Sequence, residues 1–138
     1  MKRRHIRSVL LAAAVVLSAM GIYTGNGNDG GWHLEEMVQA ASADYILPQS
    51  ADTVLTTADV EGLSLQAVCY AKNEIYARRG RIFDSQELND YFYSKPWYYG
   101  RILPEDFSSD VFNKYELANI TLLDGYERAL DPNGYQLY

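Results

Sequence analysis

The chain of 138 residues is the size of one domain, and its first 43 residues read as targeting sequence, which leaves 95 for the fold. From Asp44 onward there are eight Lys and Arg against fifteen Asp and Glu, a net charge of −7, which argues against a nucleic-acid binder needing a basic excess to neutralise phosphates. Both histidines, His5 and His33, precede that point and Cys69 is the one cysteine, so the mature part has no Ser-His-Asp or Cys-His catalytic group, no histidine metal site and no internal disulfide; nothing implies a cofactor.

The N-terminus begins with a basic run, Lys2-Arg3-Arg4-His5-Ile6-Arg7, followed by an apolar stretch from Val9 to Tyr23. Those fifteen residues span about 22 Å as a helix, short of the roughly 30 Å of bilayer hydrocarbon. A glycine-rich stretch, Thr24 to Gly31, leads to two small-x-small sites ending at Ala40 and Ala43. The pattern is that of a secretory signal peptide, cleaved after Ala40 or Ala43; the alternative is an uncleaved N-terminal membrane anchor. No cysteine stands between the apolar stretch and residue 44, so a lipoprotein is excluded. Cys69 reads as a buried small apolar residue.

Four helix starts follow in chain order. Thr56 stands three residues before Asp59, Asp84 before Glu87 and Asn113 before Glu116, the spacing of a capping box; Ser64 offers a fourth cap without the acid. Each cap follows an apolar residue whose partner lies five positions on: Leu55 with Val60, Leu63 with Val68, Phe83 with Leu88, Phe112 with Leu117. That is hydrophobic-staple spacing. The predicted helices are 57–61, 65–79 stopped by Gly80, 85–93, and 114–130. The inward residues are expected to be Val68, Ala71, Ile75 and Tyr76, then Leu88, Tyr91 and Phe92, then Leu117, Ile120, Leu123 and Tyr126. Residues 94–110 read as a folded loop packed over the helices by Trp97, Tyr98, Ile102, Leu103 and Phe107. The expected fold is all-α, a compact bundle of about four helices with an aromatic-rich loop: 1–43 leader, 44–130 helical domain, 131–138 tail.

The end of the second helix, Asn73-Glu74-Ile75-Tyr76-Ala77-Arg78-Arg79-Gly80-Arg81, resembles the motif that names the YARHG domain family. Further pieces stand in the family's order, among them Tyr45-Ile46-Leu47-Pro48, Gly62-Leu63-Ser64, Tyr91-Phe92, Trp97-Tyr98 and Asn119-Ile120, so the resemblance covers about Tyr45 to Glu127. The motif's histidine is Arg79 here. The resemblance implies an extracellular bacterial domain and brings no activity, ligand or catalytic residue with it.

Arg78, Arg79 and Arg81 place three cations within four positions. Guanidinium forks bind carboxylates and phosphates in bidentate fashion, so the triplet is a candidate anion socket; equally, cations in a last turn complement the helix dipole, and Glu74 to Arg78 is a favourable i,i+4 pair. Arg78 is expected to be structural, with the ends of Arg79 and Arg81 free. The aromatic run Tyr91 to Tyr99 reads as core, except that Tyr99, beside Gly100, is a candidate stacking surface. Glu105, Asp106 and Asp110 read as a solvated face. The expectation is a secreted, non-catalytic binding module at the bacterial cell envelope. Its candidate ligand-binding residues are Arg78, Arg79, Arg81 and Tyr99, and its partner is an anionic or peptide-like wall component. The alternative is a carboxylate-only hydrolase of wall glycan.

Overall fold

The computed structural model describes residues 44–138; the leader and its cleavage sites lie outside them. Four α-helices follow in order: α1 (Thr57–Val60), α2 (Leu65–Arg78), α3 (Gln86–Tyr93) and α4 (Lys114–Leu130). Short 3₁₀ turns occupy Pro48–Ala51, Pro104–Asp106 and Ser109–Val111. The described residues form no strand, only an isolated parallel bridge between Arg81 and Ile102, so the fold is all-α as expected.

Helix ends follow local chemistry. Ser64 Oγ accepts the Ala67 N–H at 3.1 Å to open α2. Asn113 Oδ1 accepts the N–H groups of Tyr115 and Glu116, each at 2.9 Å, while the Glu116 carboxylate accepts the Asn113 N–H at 2.8 Å, a complete capping box on α4. At α1 the Asp59 carboxylate accepts both the backbone N–H and the hydroxyl of Thr56. The start of α3 departs from the sequence expectation: Ser85, not Asp84, is the cap, accepting the Leu88 N–H at 3.3 Å. Glu87 is thereby released from the capping role assigned to it. At the other end of α2, Gly80 adopts φ +82°. Its N–H donates to Ala77 O and that of Arg81 to Tyr76 O, the paired bonds of a Schellman turn.

Two apolar clusters flank α2. Leu47, Leu55, Val60, Val68, Ala71, Ile75, Phe112 and Leu123 form one. Ala77, Phe83, Leu88, Phe92 and Tyr98 form the other, with Phe92 centred among the rings of Phe83, Tyr91, Trp97 and Tyr98. Each fully buried side chain of this size contributes about 1.5–3 kcal/mol. Cys69 is buried as a free thiol.

Three expected core residues are not in the core: Leu117 and Leu103 are each 48 % exposed, and Tyr93 is 58 % exposed. Phe112, the first member of the fourth staple pair, packs on Tyr76 and Phe107. The inward face of α4 carries Glu116, Asn119, Leu123 and Glu127: Leu123 joins the apolar cluster, and each polar side chain meets a partner, Arg79 for Glu116, main chain for Asn119, and Lys72 with the Tyr135 N–H for Glu127. Asn119 Oδ1 accepts the Leu55 N–H at 2.8 Å, and its Nδ2 donates to Ser50 O and Thr53 O. Residues 44–56, whose one regular element is the 3₁₀ turn Pro48–Ala51, are thus held to α4. They are held to α2 by the Glu74 carboxylate, which accepts the N–H groups of Ile46 and Leu47. Residues 131–138 fold back likewise. Glu87 accepts the hydroxyls of Tyr70 (2.5 Å) and Tyr135 (2.8 Å), and Tyr138 O accepts the Ser85 hydroxyl.

Candidate functional site

The three arginines leave the end of α2 in different directions and meet different partners. Arg78 is structural: Nη1 donates to Ser50 Oγ at 2.7 Å, and Nη2 to Leu47 O at 3.0 Å and to the fully buried Glu74 carboxylate at 2.7 Å. Its guanidinium also lies over the Tyr45 ring. Burial pushes the Glu74 carboxyl up from its ordinary value, against the pull of Arg78 and the two backbone donors.

The expectation of a free end on Arg79 is not met. Its Nε donates to Glu116 Oε1 at 3.0 Å and its Nη2 to Glu116 Oε2 at 2.6 Å, a bidentate pair joining the end of α2 to the first turn of α4. Glu116 is held ready for it by the capping box described above.

Arg81 differs from both. Its backbone is pinned by the Schellman bond, by the bridge to Ile102 and by the Tyr98 hydroxyl, which donates to Arg81 O at 2.7 Å. Burial pushes that hydroxyl up to about 12. The Arg81 guanidinium makes no hydrogen bond or ion pair to any described residue. Its neighbours are rings, with the centroids of Tyr76, Phe83 and Phe107 at 5.3, 5.5 and 5.9 Å. Such contacts stabilise the cation without occupying its N–H donors.

That guanidinium lines a groove of about 630 Å³ between α2, the loop around Phe107, and α4. Asn73 and Tyr76 face it from α2, Thr121 and Asp124 from α4. The Asn73 amide donates to Cys69 O at 2.9 Å. Lys72, at one end, is committed to Asp124 (3.0 Å) and Glu127 (2.7 Å). Burial would pull the Lys72 ammonium down, but its hydrogen bonds to both carboxylates win and raise it; the bond from Lys72 in turn lowers Asp124. Beyond Lys72 the Cys69 thiol is pushed up to about 11, first by burial and then by the Glu127 charge.

Tyr99 is 72 % exposed and is not among the residues lining the groove. Glu105, Asp106 and Asp110 are exposed. No group of three or more His, Cys, Asp or Glu among the described residues could hold a metal ion. Of the arginine triplet, therefore, Arg78 and Arg79 are each paired with a buried glutamate and Arg81 has no anionic partner among the described residues. Asn73, Thr121 and Asp124 were not singled out from the sequence. The available signal for Asn73 was a poor helix former in the interior of α2; Thr121 and Asp124 had none, because the groove exists only once three elements meet.

No curated protein and no solved structure gives a significant match to the chain. Among the described residues no helix is long and apolar enough to cross a membrane. The sequence pattern of the YARHG domain matches residues 43–128, which takes in α1 to α3, α4 as far as Arg128, the arginine triplet at the end of α2 and the aromatic loop, and the chain belongs to the YARHG domain family.

Proposed function

We propose that this domain is a secreted, non-catalytic binding module of the bacterial cell envelope, and that it holds an anionic or peptide-like wall component in the groove beside Arg81. The observation that carries the reading is the Arg81 guanidinium itself: partly buried, ringed by aromatic faces and without an anionic partner, while Arg78 and Arg79 are both committed to buried glutamates. Export is supported by the basic start, apolar stretch and small-residue exit of the first 43 residues. The carboxylates support binding over hydrolysis. Glu74, Glu87, Glu116 and Glu127 each hold donors of the fold, and the three loop acids face solvent.

Sedimentation of the protein with isolated wall fractions tests the reading. Wild type should co-sediment at low salt, less as salt rises, and Arg81→Gln should not co-sediment. Equal binding by wild type and Arg81→Gln would remove the groove from the account. Intact mass of the protein from culture medium should give a start at Ala41 or Asp44; retention of residues 9–23 in a membrane fraction would establish the anchor instead.

A further inference from the structure

We infer that the Arg81 groove takes the terminal carboxylate of a short peptide, in preference to a phosphate or an extended polyanion; this rests on the binding reading above and names its ligand class. The rings around Arg81 leave its N–H groups without acceptors, and two parallel N–H groups of a guanidinium match the two oxygens of a carboxylate.

The charges around the groove set the valence. Lys72 is spent on Asp124 and Glu127, and Asp124, itself on the groove wall, also accepts from Arg128. One uncompensated monovalent cation remains, with a carboxylate lining the same groove. A terminal carboxylate matches it one for one. A phosphate dianion would bring a surplus negative charge towards Asp124, and a polyanion would have to lie across a domain that carries −7.

The walls fit the rest of a peptide. Phe107, Pro104 and Ile120 offer apolar surface to a side chain, while the Thr121 hydroxyl, which donates its own proton to Leu117 O, and the Asn73 amide, whose Nδ2 donates to Cys69 O, offer acceptor oxygens to the N–H of a peptide unit. A volume of about 630 Å³ lies within the range of small-ligand sites.

The test is titration of the isotope-labelled full chain with three probes: N-acetyl-glycyl-leucine with a free carboxylate, the same compound as its C-terminal amide, and glycerol 3-phosphate. The side-chain N–H signals of Arg81 and Asn73 and the backbone signal of Thr121 report on the groove. The free acid should shift them saturably, with the amide and the glycerol phosphate at least tenfold weaker. Arg81→Gln should lose at least tenfold in affinity for the acid. Thr121→Trp, which fills the groove from an exposed position on α4, should do the same while melting like wild type, so the result does not depend on one variant folding. If acid and amide bind the groove equally, or glycerol phosphate binds it more tightly, the carboxylate assignment is overturned and the groove remains a binding site. If none of the probes moves the groove signals while wild type still binds wall fractions independently of Arg81, both readings fall.

Discussion

Replacing Arg79 with Gln should destabilise the domain strongly, the opposite of what an exposed arginine at a helix end suggests. Arg79 gives Glu116 two charge-assisted hydrogen bonds, and the Glu116 side chain is 2 % exposed. Without the guanidinium, the buried carboxylate keeps the Asn113 N–H and little else. Breaking one side of a fully buried ion pair costs about 3–5 kcal/mol, whereas a fully exposed pair is worth about 0–1. The Arg79 side chain is 37 % exposed, so water recovers part of the loss and about 2–3 kcal/mol is expected. For a domain of this size that lowers the melting temperature by about 10–20 °C. Calorimetry or thermal circular dichroism measures it. Arg79→Lys should fall between, keeping the charge but losing the fork, and Arg79→Gln with Glu116→Gln together should cost less than the two single changes summed. A melting temperature for Arg79→Gln within about a degree of wild type would refute the argument, and Glu116 would then have to be solvated by water rather than by Arg79.

Asn119→Ala strands the Leu55 N–H and the Ser50 carbonyl in the interior and should cost about 3 kcal/mol in denaturant unfolding. Gly80→Ala should cost about 1–2 kcal/mol and Gly80→Val more, because φ is +82° there; the displaced neighbour is the flexible end of Arg101, so backbone strain dominates, and an unchanged midpoint would contradict it. Glu87 is held below its ordinary value, chiefly by the Tyr70 hydroxyl, so its stabilising contribution is complete above the unfolded-state value and is lost as pH falls through the folded one. The wild-type melting temperature should accordingly fall below about pH 4.5, and Glu87→Gln should flatten that fall. Cys69, buried and with its thiol pushed up to about 11, should react with iodoacetamide at pH 8 only after unfolding; equal rates in native buffer and in denaturant would show that it is accessible.

What the sequence disclosed was local. The caps at Ser64 and Asn113 and the left-handed Gly80 could be read directly, because each depends on residues within one turn. The assignments that failed depended on distant partners. Leu117 fits the apolar period of α4, yet the face that packs inward is chosen by the main-chain groups of Ser50 to Leu55, which call for Asn119. Arg79 looked free because its partner lies thirty-seven residues away. Glu87 fits a capping box if Asp84 is the cap; one residue's shift of the helix start gives it to Tyr70 and Tyr135 instead. Arg81 was among the candidates from the outset, but nothing in the linear chain distinguished it from its two neighbours, whose partners come from the segment before α1 and from α4.

The pinning of the segment before α1 by Asn119 sets the time at which this domain can come into being. Leu55, Ser50 and Thr53 wait for a side chain 64 to 69 positions further along the chain, and Ser85 waits for Tyr138, 53 positions on. A chain emerging N-terminus first from a ribosome or a translocation pore can coil α2 early, but it cannot seat its own beginning until α4 has followed. Loop closure over such distances comes late and brings the rest with it. The order of the contacts therefore places the seating of residues 50–55 after the synthesis of α4, and that of Ser85 on Tyr138 after Tyr138 itself has been added.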